Sequence, residues 1–221
     1  MKYFIISDSD SIQEIGYHPQ TDLNPGYNPT LNNACYKMSS GSLSDYDPHV
    51  ELRLHNKSKR TNFIDKSAGL TFGIVIDERF KNILTKFKLP KHKFYPISVF
   101  HKDRVYEYYW FHFLCKDIFN FIDKEKSTLK IVNIRGFVVE KIVEFPKTTE
   151  ALISIKEMLP YNKEMFFNEV YFTEDYPNYD VLRFSSAEGQ FLTCLFSERL
   201  VNALKKENIS GFNARHFKTI L

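Results

Sequence analysis

Gly73-Ile74-Val75-Ile76-Asp77-Glu78-Arg79-Phe80-Lys81-Asn82-Ile83-Leu84 decides the reading of the chain, because a stretch of the same design returns half a chain later as Thr193-Cys194-Leu195-Phe196-Ser197-Glu198-Arg199-Leu200-Val201-Asn202-Ala203-Leu204. Each is a short apolar run, then Asp or Ser, then Glu-Arg, then apolar residues at helical spacing. Asp and Ser are strong helix N-caps, because their side-chain oxygens accept a free backbone N–H of the first turn. A Glu just inside suits the positive end of the helix. Phe80, Ile83, Leu84 and Phe87 line one face of the first helix, and Leu200, Val201 and Leu204 line one face of the second. Both stretches therefore predict a strand that breaks into a capped amphipathic helix, a possible internal repeat.

Around this pair, the 221 residues suffice for one large domain or two small ones. Apolar residues make up 43% and aromatics 16%, with 21 Phe and 13 Tyr, which excludes a disordered chain. The net charge of +3 is too small to imply nucleic acid on its own. Cys35, Cys115 and Cys194 are odd in number and far apart, which argues against a disulfide framework and fits a reducing compartment. The N-terminal apolar run Tyr3-Phe4-Ile5-Ile6 is too short for a signal peptide, and no stretch is long enough to span a membrane. The expectation is a soluble, cytoplasmic protein.

Outward from the repeat, strands are predicted over 2–7, 50–54, 70–76, 94–100, 105–114, 129–134, 137–145, 165–172, 181–184 and 190–196, with a short final strand after Gly211. Helices are predicted over 77–88, 148–159 and 197–207; Pro90 and Pro160 lie just beyond two of them. Residues 18–48 are rich in Asn, Pro, Gly, Ser and Asp and read as a long loop or arm. The sum is an α+β fold with mixed, largely antiparallel sheets and about three helices. Residues 1–68 form an N-terminal strand and arm belonging to the same fold, and 69–221 the main α+β domain.

No phosphate-binding, dinucleotide-binding, nucleophile-elbow or zinc-protease motif occurs. The seven histidines show no metal-ligand spacing. No catalytic residue, cofactor or metal is therefore expected. His112 reads as packed within a strand, and Cys115 and Cys194 as buried and inert. Tyr106, Tyr108, Tyr109 and Trp110 suggest a base-stacking platform or, preferably, a strand with aromatics on both faces. Asp117, Asp123 and Glu125 suggest an acidic site, with a solvated loop the plainer reading. Lys81, Lys86, Lys88, Lys91, Lys93, Lys102 and Arg104 are opposed only by Asp103 across 81–104. Residues 164–180 hold Glu164, Glu169, Glu174, Asp175 and Asp180 and no cation. A basic and an acidic face would steer a charged partner.

The C-terminal order Asp180-Val181-Leu182-Arg183-Phe184, Phe191 to Phe196, Ser197-Glu198-Arg199-Leu200, Ala203-Leu204 and Ile209-Ser210-Gly211-Phe212 resembles the immunity proteins of bacterial polymorphic toxin systems, formerly filed as a domain of unknown function. Ile122 to Ser127, Phe94-Tyr95-Pro96-Ile97 and Tyr108 to Leu114 are similar to further segments of that family. The resemblance spans roughly 70–217, and 8–68 carry no matching motif. It implies a protein that binds and neutralises a cognate protein toxin by occlusion, with no catalytic residues of its own. The matching residues read as structural: Ser197 caps a helix, Gly211 permits a tight exit and Phe212 packs. Partner-binding residues are not identified by the resemblance. Tyr17, Tyr27 and Tyr36 in the arm, and Tyr176 and Tyr179 in the acidic stretch, are the candidate anchors. The alternatives are a nucleic-acid-binding module built on Lys81–Lys93 and the aromatic strand, and an enzyme assembling Asp123, His112 and Cys115.

Overall fold

The computed structural model describes residues 1–65, 70, 72–115, 118–184, 193–217 and 220, with Thr193 by its backbone alone. Among them are thirteen strands and four α-helices. Three sheets form. A four-stranded antiparallel sheet runs β11 (Val181–Phe184), β12 (Thr193–Ser197), β1 (Tyr3–Asp8), β13 (Phe212–Phe217). A three-stranded antiparallel sheet runs β10 (Lys163–Glu169), β8 (Thr128–Asn133), β9 (Val138–Glu144). A six-stranded sheet runs β2 (Thr21–Leu23), β3 (Glu51–Leu54), β6 (His92–His101), β7 (Arg104–Phe113), β5 (Ile74–Ile76), β4 (Phe63–Ile64), parallel only at β3–β6. The fold is α+β with mixed, largely antiparallel sheets. The fourth helix is the single turn α1 (Ile12–Ile15), too short to leave a periodic signature.

Strand alternation sets the layers. In β1, Tyr3 and Ile5 join a core with Leu129, Phe167 and Phe184, whereas Phe4 and Ile6 join a second core with Phe80 and Phe196. In β7, Tyr109, Phe111 and Phe113 face that second core, whereas Tyr106, Tyr108 and Trp110 face a third. Successive side chains of a strand point to opposite faces, so both sheets are buried on two sides. The three-stranded sheet and α3 (Thr149–Glu157) cover one side of the four-stranded sheet. The paired helices α2 (Glu78–Leu84) and α4 (Glu198–Lys206) lie between the four- and six-stranded sheets. Cys35, Met38 and Val50 of the arm cover the outer side of the six-stranded sheet.

The repeated stretches fold alike. Asp77 accepts from Phe80 N at 2.9 Å and Ser197 from Leu200 N at 3.3 Å, so each caps its helix. Helix α2 stops at Leu84, short of the expected 88, because Lys86 N and Phe87 N donate three residues back and tighten the last turn. A buried carboxylate locks the second unit. Asp180 accepts from Ser197 Oγ and Arg199 Nε at 2.5 Å, Arg199 Nη2 at 2.6 Å and Lys88 N at 2.9 Å. It therefore joins the exit of the first helical unit to the start of the second helix. Gly211, at φ 92°, lies so close to β4 that a Cβ would sit 1.9 Å from Phe63 O.

The arm is not the plain loop expected for 18–48. Thr21–Leu23 pairs with β3, and Cys35–Lys37 makes a 3-10 turn. The expected turn at 185–189, the start of the following strand at 190–192, and Asp117 lie outside the described residues.

Candidate interaction surface

The structure scatters most of the residues that the sequence singles out. Tyr108 and Trp110 are fully buried; Tyr108 Oη donates to Thr61 O at 2.6 Å and Trp110 Nε1 to Phe72 O at 2.8 Å. The aromatic strand is thus core on both faces, and no stacking platform is available from these two rings. His112 is fully buried among Phe72, Trp110 and Tyr95, with Nε2 3.4 Å from Ser40 O. Burial pushes its pKa down to about 4, and the Arg183 charge adds to the effect. Asp123 instead accepts from the backbone N–H groups of Glu125 and Lys126 and pairs with Lys126 at 3.1 Å, a local turn. Cys115 and Cys194 are half-buried rather than buried, each at the margin of the second core.

The two charged stretches are only partly free: Lys86, Lys88, Lys91, Lys102 and Arg104, and Glu169, Glu174 and Asp175, are exposed, while others are engaged. Lys93 pairs with Asp47 at 3.5 Å, and Lys81 lies 3.2 Å from Glu78 and 3.7 Å from the centre of the Tyr109 ring. Asp180 is internal. Tyr176 is buried, its hydroxyl 3.1 Å from that of Tyr3, which removes it as a surface anchor. Tyr179 is half-buried, and its carbonyl accepts from Tyr3 Oη at 2.6 Å. In the arm, Tyr17 stacks on His55 and Tyr27 on His49; Tyr17 stays exposed, and Tyr36, at 62%, is the more exposed of these anchors.

The apolar surface in water lies elsewhere, at one end of the three-stranded sheet. Strand β9 is its edge, and every residue from Val138 to Ile142 is exposed. Val143, opposite Leu129, turns into the first core. By alternation Ile142, opposite Lys130, points to solvent and is 56% exposed. A register shift at Ile131/Val132 puts Val139 opposite Val132, on the same outer face. The β8–β9 turn carries Phe137 at φ 51°, with its ring 80% exposed. A bulky side chain in the left-handed region is strained, and such strain gathers at functional sites.

A second segment meets this turn. Arg135 Nη2 donates to Tyr161 Oη at 2.7 Å, and Ile134 N donates to Asn162 O at 3.0 Å. The link between α3 and β10 is thereby fixed beside the turn, with Tyr161 83% and Met158 75% exposed. Phe137, Met158 and Tyr161 are thus exposed about the β8–β9 turn and the α3–β10 link, and Val138, Val139 and Ile142 along the edge strand that leaves that turn. Charges there are mixed: Glu140 pairs with Lys163 at 2.5 Å and Lys141 stands next to it. Exposed apolar groups of this density mark contact sites, and a free edge strand offers unpaired backbone groups to another chain.

The structure also gathers Asp8, His18 and Asp65, whose ligand atoms lie within 4.8 Å of one another. Sequence spacing gives no hint of this trio. Asp65 is committed to the arm, accepting from Gln20 N, Thr21 N and Thr21 Oγ1. The group ties the arm to β4 and leaves one carboxylate, Asp8, and one imidazole facing outward.

Among the described residues no helix is long and apolar enough to cross a membrane. No curated protein matches the sequence. Residues 5–219 match the immunity protein family Imm11, so the matched span takes in the arm as well as the C-terminal motifs.

Proposed function

The chain belongs to the Imm11 immunity protein family, and from that premise we propose that it binds a bacterial protein toxin in the cytoplasm and neutralises it by occlusion. The observation that carries the reading further is the apolar end built by β9 and the α3–β10 link. Six large apolar side chains there are 49–83% exposed, and burying them would drive association. A toxin that lays a strand along β9 would gain backbone hydrogen bonds together with pockets for Val139 and Ile142. Phe137 and Tyr161 are aromatic and rim the patch, the residue type that dominates binding energy at interfaces. An interface of standard size, about 1,600 Å² in total, would extend past this end on every side.

Neutralisation by coverage asks nothing of the protein's own chemistry, and the scattering of Asp123, His112 and Cys115 is consistent with it. The test is co-expression with the product of the adjacent open reading frame. Growth arrest by that product alone, relieved by this chain and by stable co-purification, is the expected result. No toxicity and no complex with the neighbouring product would overturn the reading.

A further inference from the structure

A cavity of ≈ 270 Å³ lies between the four- and six-stranded sheets, walled by β1, β4, β5, β7, β11 and β12. Its lining is mostly apolar, including Ile5, Phe63, Phe72, Ile74 and Phe113. Arg183 forms part of the wall from β11. Its guanidinium is partly engaged: Nη2 donates to Ser40 O at 2.9 Å and the group lies 5.7 Å from the centre of the Phe113 ring, while Nη1 is sealed from solvent and has no hydrogen-bond partner among the described residues. None of the ion pairs among the described residues includes Arg183. Next to it, His112 shares Ser40 O through Nε2 and leaves a buried Nδ1 without a partner. Arg183 and His112 thus share one carbonyl, and each keeps a second nitrogen that is sealed and without a hydrogen bond among the described residues.

A guanidinium N–H sealed from water without an acceptor is costly, and an anion seated against it would remove that cost. A planar guanidinium with a free N–H edge suits a carboxylate above other anions of similar size. The apolar walls suit a hydrocarbon body. Asp8, half-exposed at the other end of β1, also lines the cavity, and there it disfavours a second negative charge. We propose that this cavity binds a small monocarboxylate with an apolar body, its carboxylate set against Arg183. The proposal is independent of toxin neutralisation and uses a different part of the molecule.

The test uses the full chain with decanoate, carboxyl-labelled with ¹³C. Decanamide supplies the uncharged analogue and inorganic phosphate the anion without a body. Decanoate at a hundred times its Kd should raise Tm by roughly 5–10 °C and give a shifted, bound carboxyl resonance. Decanamide and phosphate should do neither. Arg183→Met should abolish the shifted resonance. Arg183→Lys should keep the charge and bind more weakly. Ile142→Lys, on the remote apolar end, should bind decanoate as the wild type does. Equal response to decanoate and decanamide, a response to phosphate alone, survival of the shifted resonance in Arg183→Met, or no bound resonance in the wild type would each overturn the proposal. The wild-type comparison of decanoate with decanamide decides the matter even where a variant fails to fold.

Discussion

Asp180 and Arg199 form an unequal pair: the carboxylate is fully buried while the arginine side chain is more than half exposed. Removing either partner therefore has different consequences. Arg199→Ala leaves the buried carboxylate with Ser197 Oγ and Lys88 N and should cost about 1–3 kcal/mol. Asp180→Asn sets an amide NH2 against two donors whichever way it turns, so it should cost at least as much. Urea unfolding of both variants checks the order. His112 makes a separate prediction at this scale. Its folded pKa is depressed to about 4 from an ordinary 6.5, so below pH 6.5 the unfolded chain binds the proton first. The neutral buried ring is fully compatible with folding above pH 6.5, and stability falls as pH drops through the window from 6.5 to 4. The slope from this group is at most about 1.4 kcal/mol per pH unit. His112→Phe should lack that component, so the difference between the two stability–pH curves should appear in that window alone.

At the scale of elements, the N-caps and turns carry the fold. Gly211→Ala would place a methyl against Phe63 O at a positive φ, and should cost roughly 3 kcal/mol in thermal or urea unfolding. Ser197→Ala should cost more than the usual 1 kcal/mol for a cap, because Ser197 also donates to Asp180. Phe137 predicts the opposite sign. Phe137→Gly relieves a left-handed bulky residue and should be neutral or stabilising by up to about 1 kcal/mol, while weakening toxin binding. The repeat units, α3 and the β6–β7 and β11–β12 pairings were legible in the sequence, because caps, Pro stops and period-two runs are local signals. The edge position of β9 was not. Val138, Val139, Ile142 and Val143 read as an ordinary core strand, since a strand's place in a sheet is set by long-range pairing. The only local hint was Glu140-Lys141 in its middle, the kind of charge that edge strands carry. Likewise Tyr176 looked like a surface anchor within an acidic stretch, and only the fold brings Tyr3 to its hydroxyl. The junction of Arg183, His112 and Ser40 joins three distant segments and left no trace in spacing.

For the whole molecule, the layers separate two roles. The interior is held by three cores and a buried carboxylate, while the end formed by β9, the β8–β9 turn and the α3–β10 link contributes little to them. Substitutions there should spare stability and change association. Ile142→Lys should leave the unfolding midpoint within about 0.5 kcal/mol of the wild type, as for most surface changes, and Tyr161→Ala likewise. The most direct measurement is the affinity of the cognate toxin for the wild type, Ile142→Lys and Tyr161→Ala, with Tyr36→Ala in the arm as the control surface. Docking at the β9 end requires a loss of about thirtyfold or more for the first two variants, with Tyr36→Ala unchanged. Wild-type affinity in Ile142→Lys and Tyr161→Ala, with the loss falling on Tyr36→Ala, would contradict it.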